Sequence, residues 1–289
     1  MKVVDLCQRH VVSVAPHESL DAAIRLMEEH RIHHLPVVVD DMPVGMVSDR
    51  DLLLSVGWRL AAERHTGATR ASVAGPTRVD EIMNRPVIQV GPEAGAGRAA
   101  QMMCEGRISS LPVVSCGTLV GMLTSGDLLR ALAEGGLDDI GCRGLIDERV
   151  DAHMSTNLVK VKPKDTLAEV IRLFRERKIR HVPVVIDDLM QRPRLVGIVS
   201  DRDVRRALGE AVTCDEQAQE SGGFYLGPTN VLDILTTHVR TIAPEDTLGA
   251  AIDEMLRHGI HALPVVENYE LCGIVTETDV LRSIGSRAV

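Results

Sequence analysis

Four stretches of the chain repeat one order of apolar and polar positions. Copy one opens with Val11-Val12-Ser13-Val14, a short strand signal closed by Pro16. An apolar stripe follows at Leu20, Ala23, Ile24 and Met27. Apolar residues at i, i+3, i+4 and i+7 share one helix face, so this segment is predicted helical, with Ser19 as its N-cap. The run from Leu35 to Val39 is nearly all apolar and β-branched, which fits a buried strand. A polar turn at Asp40 to Pro43 leads to a return strand at Gly45 to Val47. Asp51-Leu52-Leu53-Leu54 then opens a second helix, which Trp58 to Arg64 extends. The predicted unit is β-α-β-β-α.

The same order recurs with a fixed register. Pro16, Pro92, Pro163 and Pro244 each lie twenty residues before the proline of a Pro-Val-Val: Pro36, Pro112, Pro183 and Pro264. An aspartate closes each unit, fifteen residues on in copies one, two and four and twenty residues on in copy three. The longer spacing falls in Asp187 to Leu195, an insertion that a surface turn tolerates. The helical stripe is Leu167, Val170, Ile171 and Phe174 in copy three, where Thr166 and Glu169 spell a capping box, and Leu248, Ala251, Ile252 and Met255 in copy four. Copy two has the weakest stripe: Ala96, Ala99, Ala100 and Met103, with Gly95 and Gly97 among them. Each glycine inside a helix costs roughly 1 kcal/mol against alanine.

The repeats span 1–64, 77–134, 148–209 and 229–289. Thr66 to Pro76, Gly135 to Ile146 and Asp215 to Asn230 read as connections. One such unit buries a marginal core and leaves a face of its small sheet open. Stacking a second copy covers that face, so copy one is expected to pair with two and copy three with four.

Composition narrows the function. Aromatic residues make up 2% of the chain, which leaves aliphatic cores and no stacking platform for single-stranded nucleic acid. A net charge of −9 disfavours a general nucleic-acid or anionic-membrane surface and leaves room for a local basic pocket. The six cysteines show no C-x-x-C, no apolar run approaches a membrane span, and the first repeat begins at once, without room for a signal peptide. These features together give a cytoplasmic expectation. No nucleophile–base set, H-E-x-x-H, P-loop or dinucleotide glycine fingerprint is present, so the expectation is a binding protein and not an enzyme.

The fourfold hydrophobic-x-x-hydrophobic-Pro-Val-Val, followed by Gly-hydrophobic-hydrophobic-Ser/Thr-x-x-Asp, resembles the CBS domain, named after cystathionine β-synthase. The resemblance implies an α/β (α+β) fold of four β-α-β-β-α repeats paired into two Bateman modules. These would form a disc-like assembly similar to the γ subunit of AMP-activated protein kinase, built from one chain or as a homo-dimer. It also implies adenosine ligands in the clefts: AMP, ADP or ATP, with or without Mg2+, ahead of S-adenosylmethionine. By match to the family motif, Asp51, Asp127, Asp203 and Asp279 accept the ribose hydroxyls, supported by Ser48, Thr124, Ser200 and Thr276. Backbone at Ser13, Val37, Gln89, Val113, Lys160, Val184, Thr241 and Val265 lines the adenine slot. The two residues before each hydrophobic-Pro face phosphate: His33-His34, Ser109-Ser110, Arg180-His181 and His261-Ala262.

Local readings compete with these assignments. Ser/Thr-x-x-Asp at a helix start is also a capping box, and both roles can hold at once. His30, His33 and His34 invite a metal reading, but no Cys or acidic partner stands at zinc-ligand spacing. Arg50 and Arg202 either reach phosphate bidentately or bridge their flanking aspartates. Copy two lacks basic residues of its own and has Gly126 in place of Arg50, which makes it the candidate weak site; a partner repeat would have to supply its cations. Copy three, with Lys160, Arg180, His181 and Arg202, is the candidate tightest site, and copy one ranks next. Two functions remain open: a sensor that binds adenine nucleotides and signals to a separate target protein, or an assembly scaffold with vestigial clefts.

Overall fold

The computed structural model describes residues 1–52, 76–188, 192–204, 206–207 and 230–287. The expected helix extension at 58–64, most of the connections at 66–76 and 215–230, and part of the copy-three insertion lie outside these residues.

Each repeat is built on a helix and an antiparallel hairpin. Copy one has helix α2 (Leu20–His30) and strands β1 (His34–Val39) and β2 (Met42–Ser48), preceded by a helical turn α1 (Val3–Leu6). Copy two has α3 (Ala96–Gly106), β3 (Ser110–Ser115), β4 (Thr118–Thr124) and α4 (Ser125–Ala133). Copy three has α5 (Leu167–Arg177), β5 (His181–Asp187) and β6 (Pro193–Ser200). Copy four has α6 (Leu248–His258), β7 (Ala262–Glu267), β8 (Glu270–Thr276) and α7 (Glu277–Arg287).

The helix starts follow the caps. Ser19, Thr166 and Thr247 accept from the backbone N–H groups of Ala22, Glu169 and Ala250. Glu169 turns its carboxylate to Arg172, so only half of the expected capping box forms. Gly95 is the N-cap of α3 and lies outside the helix, where glycine costs little; only Gly97 bears the interior penalty. In copies one, two and four the hairpins turn through two residues at positive φ: Asp40-Asp41, Cys116-Gly117 and Asn268-Tyr269. That geometry matches the twist of the strands it joins.

The first strand of each unit is shorter than its sequence suggests. It is reduced to one residue, Val14, Val90, Val161 or Ile242, bridging in parallel to Val37, Val113, Val184 or Val265. On the other edge of each hairpin lies a segment of a different copy. Gln8 bridges Met122, Asn84 bridges Met46, Ser155 bridges Ile274 and Thr236 bridges Ile198. The leading segments are thus exchanged within pairs, one with two and three with four, which is the expected pairing.

This exchange explains the glycine of the motif. A Cβ on Gly45 would sit 2.2 Å from Met83 Sδ, and one on Gly273 would sit 2.3 Å from Met154 Sδ. On Gly197 it would lie 2.1 Å from Leu235 Cδ1 and 3.0 Å from the Thr236 carbonyl oxygen. The side chain of the incoming segment fills the space a β-carbon would need. Gly197→Val should therefore cost about 1–3 kcal/mol through overpacking, read as a lower urea midpoint.

The cores record the same exchange. Val79 of the second leading segment is fully buried with Val14, Ala23, Met27, Leu35, Val37 and Val47 of copy one. Val231 does the same with Val161, Val170, Phe174, Val182 and Val199 of copy three. Copies two and four share one core, which includes Ala96, Ala99, Ala100, Leu128, Leu248, Ile252 and Ile284, and it takes in Val3 and Val150. The low bulk of the copy-two stripe has its reason here. A Cβ on Gly285 of α7 would already lie 3.3 Å from the backbone N and Cα of Gln101 in α3. Small residues let these helices of the two modules approach closely.

Candidate functional site

The motif aspartates close the seams between paired copies. In every copy one carboxylate oxygen, Oδ2, accepts from the backbone N–H of the motif Ser or Thr and from its hydroxyl. For Ser48 and Asp51 the distances are 2.8 and 2.6 Å, and Thr124–Asp127, Ser200–Asp203 and Thr276–Asp279 repeat them closely. The capping role therefore holds, and it occupies one oxygen. The other oxygen, Oδ1, faces the exchanged segment. Asn84 donates to Asp51 at 2.8 Å, Gln8 to Asp127 at 3.5 Å and Ser155 to Asp279 at 3.2 Å. Each donor comes from the paired copy. Thr236 stands at the same place in the seam of copy three, beside β6.

These donors were missed in the sequence because they belong to a different copy. A signal was available: Gln8, Asn84, Ser155 and Thr236 all stand eight residues before the phase-setting proline.

The residues that open each hairpin meet at a common hub. The first helical residue after the motif Ser or Thr donates its N–H to the carbonyl of the first of the two expected phosphate-facing residues. The pairs are Asp49 to His33, Ser125 to Ser109, Asp201 to Arg180 and Glu277 to His261. Side chains then join every pairing of the four copies. His34 Nε2 and Ser109 Oγ lie 3.2 Å apart, linking copies one and two. Arg180 donates to Ser109 Oγ at 3.0 Å, linking three and two. Ser125 donates to Glu277 at 2.7 Å, linking two and four. Arg202 donates to His261 Nε2 at 2.7 Å, linking three and four. Arg50 donates to the Phe174 carbonyl at 3.0 Å, linking one and three. The rings of His33 and His261 meet edge to face at 6.4 Å, linking one and four.

The hydrogen bonds of Arg50 and Arg202 reach another copy, while their neighbours Asp51 and Asp201 act on them by charge. The acidic partner not foreseen for His33 is Asp49, 2.7 Å from Nδ1. Glu277 holds His261 the same way. Sequence spacing for zinc ligands does not reveal either pair, because a hairpin separates the partners. Among the described residues no three metal-ligating side chains converge.

Burial and charge set the proton states of the hub. His34 and His181 are pushed down to about 3, first by desolvation and then by the nearby Arg180 guanidinium. Neutral His34 can accept from the Ser109 hydroxyl, which in turn accepts from Arg180. Desolvation lowers Arg50 and Arg202 and raises Asp201. Desolvation also raises Glu277, but hydrogen bonding and charge from His261, with Ser125 and Arg180, outweigh it and leave its carboxyl lowered.

The remaining expected positions lie on the hairpin edge. Val37, Val113, Val184 and Val265 are fully buried in the cores, backbone included. Ser13, Gln89, Lys160 and Thr241 each precede the residue that bridges to them, and all four are exposed. Ser110 and Ala262 are buried. His30 sits in the last turn of α2, away from the strand-opening pair.

The CBS domain profile matches residues 3–57, 79–134, 149–210 and 231–286. The chain belongs to the CBS domain family. A relative over nearly the whole length is the uncharacterized protein MJ1225 of Methanocaldococcus jannaschii, 28% identical over 291 residues, covering 98% of each chain. Its crystal structure, described as that of a proposed archaeal homologue of γ-AMPK, superposes with a TM-score of 0.81 at 27% identity. That match covers 98% of this chain and 99% of the other. An uncharacterized 33.4 kDa protein in the ribosomal RNA operon of Thermofilum pendens is 28% identical, over 93% of this chain and 87% of its own. No described helix is long and apolar enough to cross a membrane.

Proposed function

We propose that this four-repeat CBS protein is a regulatory sensor. It binds adenine nucleotides at the seams between paired repeats and signals to a separate target protein. The observation that carries this is the position of the motif aspartates, each capping a helix with one oxygen and presenting the other to a seam. A carboxylate placed this way can accept from a ribose diol. The hub beyond supplies Arg50, Arg180 and Arg202, which suit phosphates, so AMP, ADP or ATP fits better than S-adenosylmethionine. Mg2+ would accompany the polyphosphates.

Arg180 changes the ranking of the sites. Copy two lacks cations of its own, yet Arg180 of copy three already touches its Ser109. Arg180 thus serves the copy-two and copy-three sites together, and copy two is not excluded as a site.

One observation favours a scaffold instead. In the free chain the hub groups satisfy one another, and a ligand must displace them. A thermal-shift panel with AMP, ADP, ATP and S-adenosylmethionine separates the two readings. The sensor predicts a shift that grows with nucleotide concentration and is reduced in Asp203→Ala. Arg180→Ala should weaken AMP about tenfold or more, the loss of one charge-assisted hydrogen bond. A chain that shifts with none of the four ligands is a scaffold.

A further inference from the structure

The second oxygen of three motif aspartates is already held by a cation. Arg130 Nη1 lies 3.4 Å from Asp127 Oδ1, Arg206 Nη2 donates to Asp203 Oδ1 at 3.0 Å, and Arg282 Nη1 donates to Asp279 Oδ1 at 2.9 Å. Each arginine sits one turn beyond its aspartate on the same helix. The carboxylates are enclosed, at 8, 13 and 3% exposure, while the arginines are open to solvent at 55, 66 and 62%. Oδ2 is committed to the helix start in every copy, so Oδ1 is the oxygen left for a diol. In copies two and four it also takes a donor from the paired copy, Gln8 or Ser155, which fills both of its lone pairs.

Copy one differs. The equivalent position in its sequence is Leu54, and the donor on Asp51 Oδ1 is the neutral amide of Asn84.

We propose that Arg130, Arg206 and Arg282 are affinity-setting latches that compete with the ligand's ribose hydroxyls for the motif carboxylates. This rests on the ribose reading of those aspartates given above. A ribose that docks on Asp127, Asp203 or Asp279 displaces a guanidinium; one that docks on Asp51 displaces only an amide. The four seams are therefore unequal at their sugar ends. Among the described residues copy one is the unlatched seam, which moves it ahead of its rank by basic residues alone. The latch can open because its guanidinium end is more than half exposed and returns to water on release; an ion pair with one end in solvent is expected to change an equilibrium by only about two- to fivefold.

The test compares AMP with 2′,3′-dideoxy-AMP by calorimetry on the full chain and on the triple variant Arg130→Gln, Arg206→Gln, Arg282→Gln. The exposure of these side chains makes the variant safe for folding, and far-UV circular dichroism checks it. The expected result is AMP binding two- to fivefold tighter in the variant at the latched seams, with no such gain for the dideoxy ligand. AMP binding that is unchanged or weaker in the variant overturns the latch. If the native chain does not distinguish the two ligands, or binds neither, the ribose reading fails and the latch falls with it. If it distinguishes them and the variant does not tighten, the latch alone fails.

Discussion

Acidification from pH 7.5 to pH 5 should remove about 4 kcal/mol of folding stability through two histidines alone. His34 and His181 hold folded-state values of about 3, below the ordinary 6.5. The fold therefore favours their neutral forms. Their contribution is fully present above pH 6.5 and is lost as the pH falls from there through about 3. At pH 5 the unfolded chain gains roughly 1.5 pH units' worth of protonation at each histidine, about 2 kcal/mol apiece. The structural cause is the hub: a charged His34 could no longer accept from Ser109 and would face Arg180 without solvent. Asp201, raised by desolvation, offsets part of this at still lower pH, since a group whose pKa rises on folding favours the fold in acid. Urea unfolding at a series of pH values measures the effect. The double variant His34→Gln, His181→Gln should flatten the profile between pH 7.5 and 5. A native profile already flat there would contradict the hub's proton states.

Ile252→Ala should cost about 2–5 kcal/mol, the range for truncating a large side chain in a packed core. Ile252 is fully buried in the core that copies two and four share, so the cavity opens where the modules are joined. Urea unfolding followed by circular dichroism reads the loss as a lower midpoint at unchanged slope. A loss below about 1 kcal/mol would mean that this core relaxes around the cavity and holds the modules together loosely.

Much of the fold was legible because it is local and repeated. The stripe at Leu20, Ala23, Ile24 and Met27, the run from Leu35 to Val39 and the register of the prolines lead directly to α2, β1 and the fourfold unit. The pairing of copies followed from an open sheet face. What was hidden is what crosses between copies. Val3, Val79, Val150 and Val231 look like the beginnings of their own repeats, yet they complete the cores of others. Gly45 and Gly197 show no local reason to be glycine until the exchanged side chains of Met83 and Leu235 are seen beside them. Arg50 and Arg202 had no local partner that predicted Phe174 or His261. Local pattern encodes periodicity and caps, while these contacts depend on three-dimensional neighbours that no single stretch specifies.

The candidate site divides in the same way. The four aspartates were found because each is embedded in a local motif, Ser/Thr-x-x-Asp. Their arginine latches and the hub acids Asp49 and Glu277 were not, because the residues flanking them carry no signature of their own, and the seam donors were not because their only signal, a fixed spacing from the phase-setting proline, does not say which copy they serve. Copy two was read as poor in cations because Arg180 belongs to another repeat.

A crystal structure of the chain grown with AMP tests the central claim most directly. The account predicts AMP at the seams, its ribose hydroxyls within hydrogen-bond distance of Oδ1 of the motif aspartates and its phosphate turned toward Arg180 and Arg202. Empty seams at saturating AMP, or AMP bound away from Asp51, Asp127, Asp203 and Asp279, would contradict it.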